Sequence, residues 1–159
     1  MSVKELTPVT PETFSDVFEL LERFAIPYVV VSGMAVVLHG HKRPVFDLDI
    51  VIAATPNEQN RAQQVLQMAG FVPTIPVPLN LVPVLRMFDQ SQREIDVFAR
   101  YHISFDQLWA ESVRIPVGET RVHVASFDHL VQAKRITARP HDLQDVEALL
   151  VLAKKQGAA

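Results

Sequence analysis

Three aspartates in two apolar segments are the residues of this sequence best suited to bind a metal ion. Asp47 and Asp49 alternate with apolar residues in the segment 46–52, which predicts a β-strand with both carboxylates on one face. Asp96 lies in a similar segment, 94–98, so we predict a second strand that carries one carboxylate among apolar residues. Carboxylates converging from neighbouring strands suit Mg²⁺, which also binds substrate phosphates. For Asp47 and Asp49 alone, the alternative is a solvated acidic face on an edge strand.

A strand, a turn of small residues and a helix precede the paired aspartates. The β-branched segment 28–31 predicts a buried strand that ends at Ser32 and Gly33, and the segment 34–40 favours a helix. Backbone N–H groups at such a turn and helix start can bind a phosphate. Arg43 lies four residues before the first aspartate and is a candidate triphosphate contact. A solvated loop cation is the alternative for this arginine.

The order of these features resembles the nucleotidyltransferase superfamily of DNA polymerase β. The signature of that superfamily is a small-residue turn, then a paired-carboxylate strand, then a third carboxylate. Within it, the chain is most similar to the small bacterial branch of abortive-infection-type toxins and antibiotic nucleotidyltransferases, through residues 32–35, 39–40 and 43–49. The segment 134–145 resembles the C-terminal helical block of the family, which has a lysine, an arginine and two aspartates. The resemblance spans residues 28–150.

This resemblance implies an α+β fold with a nucleotidyltransferase-like mixed β-sheet. Helices are expected to pack mainly on one face, and C-terminal helices complete the domain. We predict a single domain over residues 1–159, with a core at 28–100 and a C-terminal strand–helix extension at 101–155. Its implied activity is metal-dependent transfer of a nucleoside monophosphate from an NTP to a hydroxyl group of a small molecule, an RNA end or a protein. The alternative is a nucleotide-binding regulatory component of a toxin–antitoxin or defence pair, without turnover.

The same resemblance assigns roles to individual residues. Asp47 and Asp49 would bind two Mg²⁺ (or Mn²⁺) ions, and Asp96 would bind the acceptor-side ion and act as the base. Ser32 and Gly33 would hold the β- and γ-phosphates of the donor. Arg43 would contact the triphosphate, and Lys134 would reach the nucleotide phosphates. A surface lysine whose stem covers apolar neighbours is the alternative for Lys134.

Composition limits the other classes of function. The 159 residues, 48% of them hydrophobic, predict one domain with a sizeable core. The absence of cysteine excludes disulfides, thiolate metal sites and cysteine nucleophiles. A net charge of −3 argues against an extended basic groove for nucleic acid. Because the sequence has no membrane-spanning stretch and no signal peptide, we predict a cytoplasmic protein with no membrane partner.

Other polar residues have mainly structural interpretations. His39 is expected to cap its helix, and Arg139 to form ion pairs with two aspartates that fix the last two helices. Arg86 and Arg93 flank the hairpin of the third carboxylate and would neutralise it or bind the acceptor. The remaining predicted elements are a helix beginning near Thr10, a helix at 56–69, hairpins at 79–88/93–99 and 113–116/121–125, a helical turn at 105–110, and helices at 126–139 and 142–155.

Overall fold

A seven-stranded mixed sheet organises the chain. The computed structural model describes residues 7–157, and the ends of the predicted domain, residues 1–6 and 158–159, lie outside the described residues. The strand order is β3-β4-β5-β2-β1-β7-β6. The strands are β1 (Tyr28–Val31), β2 (Leu48–Ile52), β3 (Val72–Pro73), β4 (Val84–Phe88), β5 (Glu94–Phe98), β6 (Val113–Val117) and β7 (Thr120–Val124).

The central strands combine antiparallel and parallel pairing. β2 pairs antiparallel with β1 and parallel with β5, which pairs antiparallel with β4. On one face, Leu48, Ile50 and Ile52 are fully buried. Tyr28 lies in register with Ile52 on this face, and its ring lies 6.4 Å from the ring of Phe18. Asp49 alternates with these apolar residues and therefore belongs to the opposite face.

Helices pack against the sheet. Three of them begin with a side-chain cap, because Thr55, Ser104 and Ser126 each accept a hydrogen bond from a backbone N–H of the first turn. Among the described residues, no helix has the length and apolar character needed to cross a membrane. The helices are α1 (Ser15–Arg23), preceded by a 3₁₀-helix at Pro11–Phe14, α2 (Ser32–Leu38), α3 (Pro56–Met68), α4 (Phe105–Glu111), α5 (Phe127–Thr137) and α6 (Pro140–Gly157).

The predicted α+β class with a mixed sheet is confirmed, but several predicted boundaries were wrong. The first strand of the 79–88/93–99 hairpin begins only at Val84, because residues 79–81 form a 3₁₀-helix between prolines 78 and 83, which donate no backbone hydrogen bond. Helix α5 ends at Thr137 because Ala138 adopts a left-handed conformation (φ 49°). The following helix therefore begins at Pro140, where a proline suits the first helical turn.

The start of the aspartate strand was also predicted wrongly. β2 begins at Leu48, so Asp47 lies immediately before the strand instead of within it. The preceding Val45 instead forms an isolated antiparallel bridge with Val9, outside the strands of the sheet. The C-terminal extension also joins the central sheet, because Val30 of β1 pairs in parallel with Val124 of β7.

Candidate active site

Four carboxylates, which we call the acidic cluster, lie close together on β5 and on or just before β2: Asp47, Asp49, Glu94 and Asp96. Asp49 and Asp96 are direct register partners across these strands. Glu94 lies two residues before Asp96 in β5 and therefore on the same face, and Asp47 lies just before β2, two residues before Asp49. One carboxylate oxygen from each of Asp47, Glu94 and Asp96 lies within 4.8 Å of the others. These three side chains could hold a metal ion.

Glu94 was missed in the sequence, where the segment 94–98 was interpreted as carrying one carboxylate. The available signal was the repetition of an acid-X-acid pattern, first at Asp47 and Asp49 and then at Glu94 and Asp96. The structure brings Glu94, rather than Asp49, into the compact group with Asp47 and Asp96. Asp49 remains beside this group, and its carboxylate interacts with the Ser32 side chain.

The acidic cluster carries negative charge that the protein does not fully compensate. Burial, a hydrogen bond with Glu94 and repulsion from Asp96 raise the pKa of Asp47 to about 6. Burial and repulsion from Asp47 and Asp96 raise the pKa of Asp49 to about 8. Within the described part of the chain, the buried Oδ1 atom of Asp49 has no hydrogen-bond partner. Oxygen ligands with this excess of negative charge fit Mg²⁺ or Mn²⁺.

Arg86 lies beside the acidic cluster and partly neutralises it. Its Nε atom lies 2.9 Å from Oδ1 of Asp96 and 3.5 Å from Oε2 of Glu94. The first of the two roles predicted for the flanking arginines therefore fits Arg86. Arg93 points elsewhere, because it forms ion pairs of 2.7 Å with both Asp16 and Asp89.

A pocket of about 390 Å³ adjoins the acidic cluster. We call it the donor pocket. It brings together six of the seven site residues expected from the sequence, and the seventh, Asp96, lines a neighbouring groove instead. The six are Ser32, Gly33, Arg43, Asp47, Asp49 and Lys134.

Ser32 and Gly33 form the first turn of α2, which begins two residues before the predicted start at residue 34, and this turn packs closely against Arg43. Ser32 has φ +60°, a left-handed conformation that is unfavourable for residues other than glycine and is often found at functional sites. A Cβ atom on Gly33 would lie 2.9 Å from Nη2 of Arg43 and 3.1 Å from Cγ1 of Val45. Glycine is therefore needed here for the guanidinium group to lie against the turn.

Two cations of the donor pocket share one carboxylate of α6. Arg43 makes two hydrogen bonds to Asp145, of 2.9 and 2.7 Å. The buried Nζ of Lys134 lies 2.9 Å from Asp145 and 3.4 Å from Asp142. Although burial acts in the opposite direction, the hydrogen bonds from Arg43 and Lys134 lower the pKa of Asp145. The alternatives considered from the sequence, a solvated loop cation for Arg43 and a surface lysine for Lys134, do not fit these contacts.

The other predicted ion pairs are present in part. Arg139 pairs with Asp142 at 2.9 Å, whereas Asp145 is the partner of the two pocket cations.

His39 is the C-terminal cap residue of α2, and its Nε2 lies 2.7 Å from the carbonyl oxygen of Ala125. It therefore ties α2 to the end of β7 and lies outside the lining of the donor pocket.

Aromatic side chains that the sequence did not single out line the donor pocket beside the carboxylates. The rings of Phe98 and Tyr101 lie 5.3 Å apart, and the ring of His102 lies 4.8 Å from that of Tyr101. Phe46, immediately before the first aspartate, lines the same pocket and is 41% exposed. Phe98, Tyr101 and His102 are close in the sequence, whereas Phe46 joins the lining of this pocket only through the fold.

Comparison with known proteins places this geometry in a fold class. No protein-family model matches the sequence, and no curated protein matches it either. Among solved structures, the lincosamide antibiotic adenylyltransferase LnuA in its lincomycin-bound form aligns with a TM-score of 0.69 and 15% identity, over 92% of this chain and 99% of that one. A nucleotidyltransferase-like protein from Paracoccidioides brasiliensis aligns with a TM-score of 0.67 and 18% identity, over 92% of this chain and 79% of that one.

A further solved structure links the fold to a reaction product. ANT(2″)-Ia in complex with adenylyl-2″-tobramycin aligns with a TM-score of 0.59 and 11% identity, over 92% of this chain and 88% of that one. The chain therefore has a fold of the polymerase β-type nucleotidyltransferases, as the sequence resemblance implied. None of these three structures is a toxin, so the resemblance to toxins has no support from them.

Proposed function

We propose that the protein is a metal-dependent nucleotidyltransferase that moves a nucleoside monophosphate from an NTP to an acceptor hydroxyl group. The observation that carries this proposal is the contact between two chemically different regions. The carboxylate cluster of β2 and β5 adjoins a pocket that contains the cations Arg43 and Lys134. Carboxylates suit divalent ions, whereas the two cations suit the phosphates of a nucleotide.

The donor pocket would bind the nucleotide through the Ser32 turn and the two cations. The Ser32 hydroxyl group can donate a hydrogen bond to a phosphate oxygen, and Arg43 lies directly against Gly33. Lys134 supplies a second positive charge, which Asp145 holds in place. The aromatic rings of Phe98 and Tyr101 give the same pocket an apolar wall for a base or a sugar.

Asp47, Asp49, Glu94 and Asp96 would hold Mg²⁺ or Mn²⁺, and bound divalent ions would neutralise phosphate charge and polarise the phosphorus. Asp96 is proposed to accept the proton of the acceptor hydroxyl group. The acceptor oxygen then forms a bond to the α-phosphorus, the bond from that phosphorus to the bridging oxygen breaks, and pyrophosphate leaves. Arg86 keeps the carboxylate of Asp96 oriented across the strand pair before the substrates bind.

The alternative is a nucleotide-binding regulatory protein of a toxin–antitoxin or defence pair. It would use the same donor pocket without turnover. The similar solved structures do not favour it, because LnuA is an adenylyltransferase and the ANT(2″)-Ia complex contains an adenylylated antibiotic.

Label transfer tests this proposal. The protein is incubated with Mg²⁺ or Mn²⁺, an NTP labelled at either the α- or the γ-phosphate, and a pool of RNA, proteins and small hydroxyl compounds. We expect the α-label on an acceptor and the γ-label in pyrophosphate. Asp96→Ala should abolish transfer, whereas Asp106→Ala, at an exposed position in the first turn of α4, should retain it.

Two outcomes would contradict the proposal in different ways. Transfer that survives Asp96→Ala would show that Asp96 is not the base. An intact nucleotide complex with no transfer of the α-label to any acceptor would favour the regulatory alternative.

A further inference from the structure

A second concave surface, which we call the acceptor groove, lies on the β4–β5 side of the acidic cluster. It has a volume of about 450 Å³. Phe98 lines both this groove and the donor pocket, whereas Asp96 lines the groove alone. The groove therefore reaches the proposed base outside the donor pocket. Its other lining residues are Thr74, Ile75, Val84, Leu85 and Arg86.

One flank of the acceptor groove is apolar. Val84 and Phe98 are register partners on β4 and β5, and they lie two residues from Arg86 and Asp96 on the same face. Val84 is 40% exposed and Ile75, across the groove, is 47% exposed. These side chains can cover an apolar part of a ligand whose hydroxyl group lies at Asp96.

Arg86 gives the same groove a positive charge. Its side chain is 55% exposed, and its carboxylate partners are Asp96 at 2.9 Å and Glu94 at 3.5 Å. Both partners belong to the group of three carboxylates that could hold a metal ion. Divalent ions would therefore compete with Arg86 for these oxygens. A guanidinium group that loses its carboxylate partner is suited to a carboxylate or a phosphate, which it can bind through two parallel hydrogen bonds.

We propose that the acceptor groove binds a small hydroxyl compound with an apolar flank and an anionic group. The hydroxyl group lies at Asp96, the apolar flank packs on Val84 and Phe98, and a carboxylate or phosphate pairs with Arg86. A polycationic acceptor is disfavoured because its charges would face this guanidinium group. This assignment rests on the proposed transferase function, in which the acceptor oxygen bonds to the α-phosphorus as pyrophosphate leaves and Asp96 takes the proton.

Four matched probes test the assignment: p-hydroxymethylbenzoate, p-hydroxymethylphenyl phosphate, uncharged p-methylbenzyl alcohol and cationic p-hydroxymethylbenzylamine. Saturation-transfer NMR measures their affinities for the full chain with Mg²⁺ and α,β-methylene analogues of the four NTPs. We expect at least one anionic probe to bind about tenfold more tightly than the cationic probe, as for a charge-assisted hydrogen bond. Comparison of the two anionic probes distinguishes a carboxylate from a phosphate.

Substitutions locate the binding to the groove. Arg86→Met should weaken the anionic probes about tenfold and leave the uncharged probe unchanged, because it removes the charge and keeps an apolar stem. Val84→Asp should weaken the uncharged probe and the anionic probes, because it places a charge on the apolar flank. The matched controls are Arg23→Met, which removes a surface arginine that is 60% exposed and paired with Glu19, and Val113→Asp, on the far edge strand and also 40% exposed.

The NMR resonances of the nucleotide in the same samples distinguish failure of the groove assignment from failure of the transferase proposal. If the nucleotide binds with Mg²⁺ but the cationic probe binds as tightly as the anionic probes, the assignment of the groove is wrong and the transferase proposal stands. Equal effects of Arg86→Met and Arg23→Met would overturn the assignment in the same way. If no nucleotide binds, the transferase proposal fails and the groove assignment fails with it.

Discussion

Replacing Asp49 by Asn should stabilise the metal-free protein while it removes a proposed metal ligand. Burial, followed by the charges of Asp47 and Asp96, raises the pKa of Asp49 from 3.8 to about 8. The folded state therefore binds more protons than the unfolded chain between these two values, and stability falls as the pH rises through this window. At pH 7, keeping this carboxyl group in the fold costs about 4 kcal/mol relative to the unfolded chain.

An amide at position 49 has no charge to bury, but its polar atoms must still be desolvated. We therefore expect Asp49→Asn to recover about half of this cost, about 2 kcal/mol at pH 7. The gain should be small near pH 4.5 and should grow towards pH 8. Urea unfolding followed by circular dichroism, in EDTA and at several pH values, measures it.

Asp106→Asn is the matched control. Asp106 is exposed in the first turn of α4, where its charge favours the helix, so its replacement should give no gain in stability. A gain for Asp49→Asn that does not change with pH would refute the electrostatic reasoning, and so would a loss of stability at every pH.

Three further substitutions test the donor pocket and the acidic cluster. Gly33→Ala should displace Arg43, because Nη2 of Arg43 would lie 2.9 Å from the new methyl group. We expect this variant to bind nucleotide about tenfold more weakly in calorimetry. Gly157→Ala is the control, because Gly157 has space for a methyl group and its replacement should have no effect. Lys134→Met should lower the free energy of unfolding, measured in urea, by about 2–3 kcal/mol, because the buried Asp145 loses its ion pair with Lys134 and keeps the one with Arg43. An unchanged unfolding midpoint would contradict this expectation. Glu94→Gln should weaken Mn²⁺ binding about tenfold by electron paramagnetic resonance, and equal affinities for this variant and for Glu147→Gln, at an exposed position, would exclude Glu94 as a ligand.

The local patterns of the sequence predicted the elements that position the site. Alternation around Asp49 predicted the strand, and the β-branched segment before Ser32 predicted its neighbour; β2 and β1 pair in the structure. Caps also carry local information, as Ser126 shows at the start of α5. Such features depend on residues that are close in the sequence, so a single chain is sufficient to find them.

Contacts that depend on the pairing of distant segments could not be predicted in this way. Arg43 and Asp145 are 102 residues apart in the sequence, and the aspartate could therefore be assigned only to an ion-pair set within the last helices. Glu94 was overlooked because its importance comes from the parallel register of β5 with β2, which the alternation of one strand does not reveal. Phe46 likewise comes to line the same pocket as Phe98 and Tyr101 only after folding.

Calorimetric titration with nucleotide tests most directly the claim that the acidic cluster and the donor pocket form one metal–nucleotide site. ATP, GTP, CTP and UTP are each titrated with Mg²⁺ or Mn²⁺ and then in EDTA, with the wild-type protein and with Asp47→Asn/Asp49→Asn. We expect at least one nucleotide to bind only with the divalent ion. The double substitution, which keeps the shape and removes both charges, should strongly weaken this binding. Equal affinities for the wild-type protein and the double variant would contradict it, because the nucleotide site would then lie elsewhere.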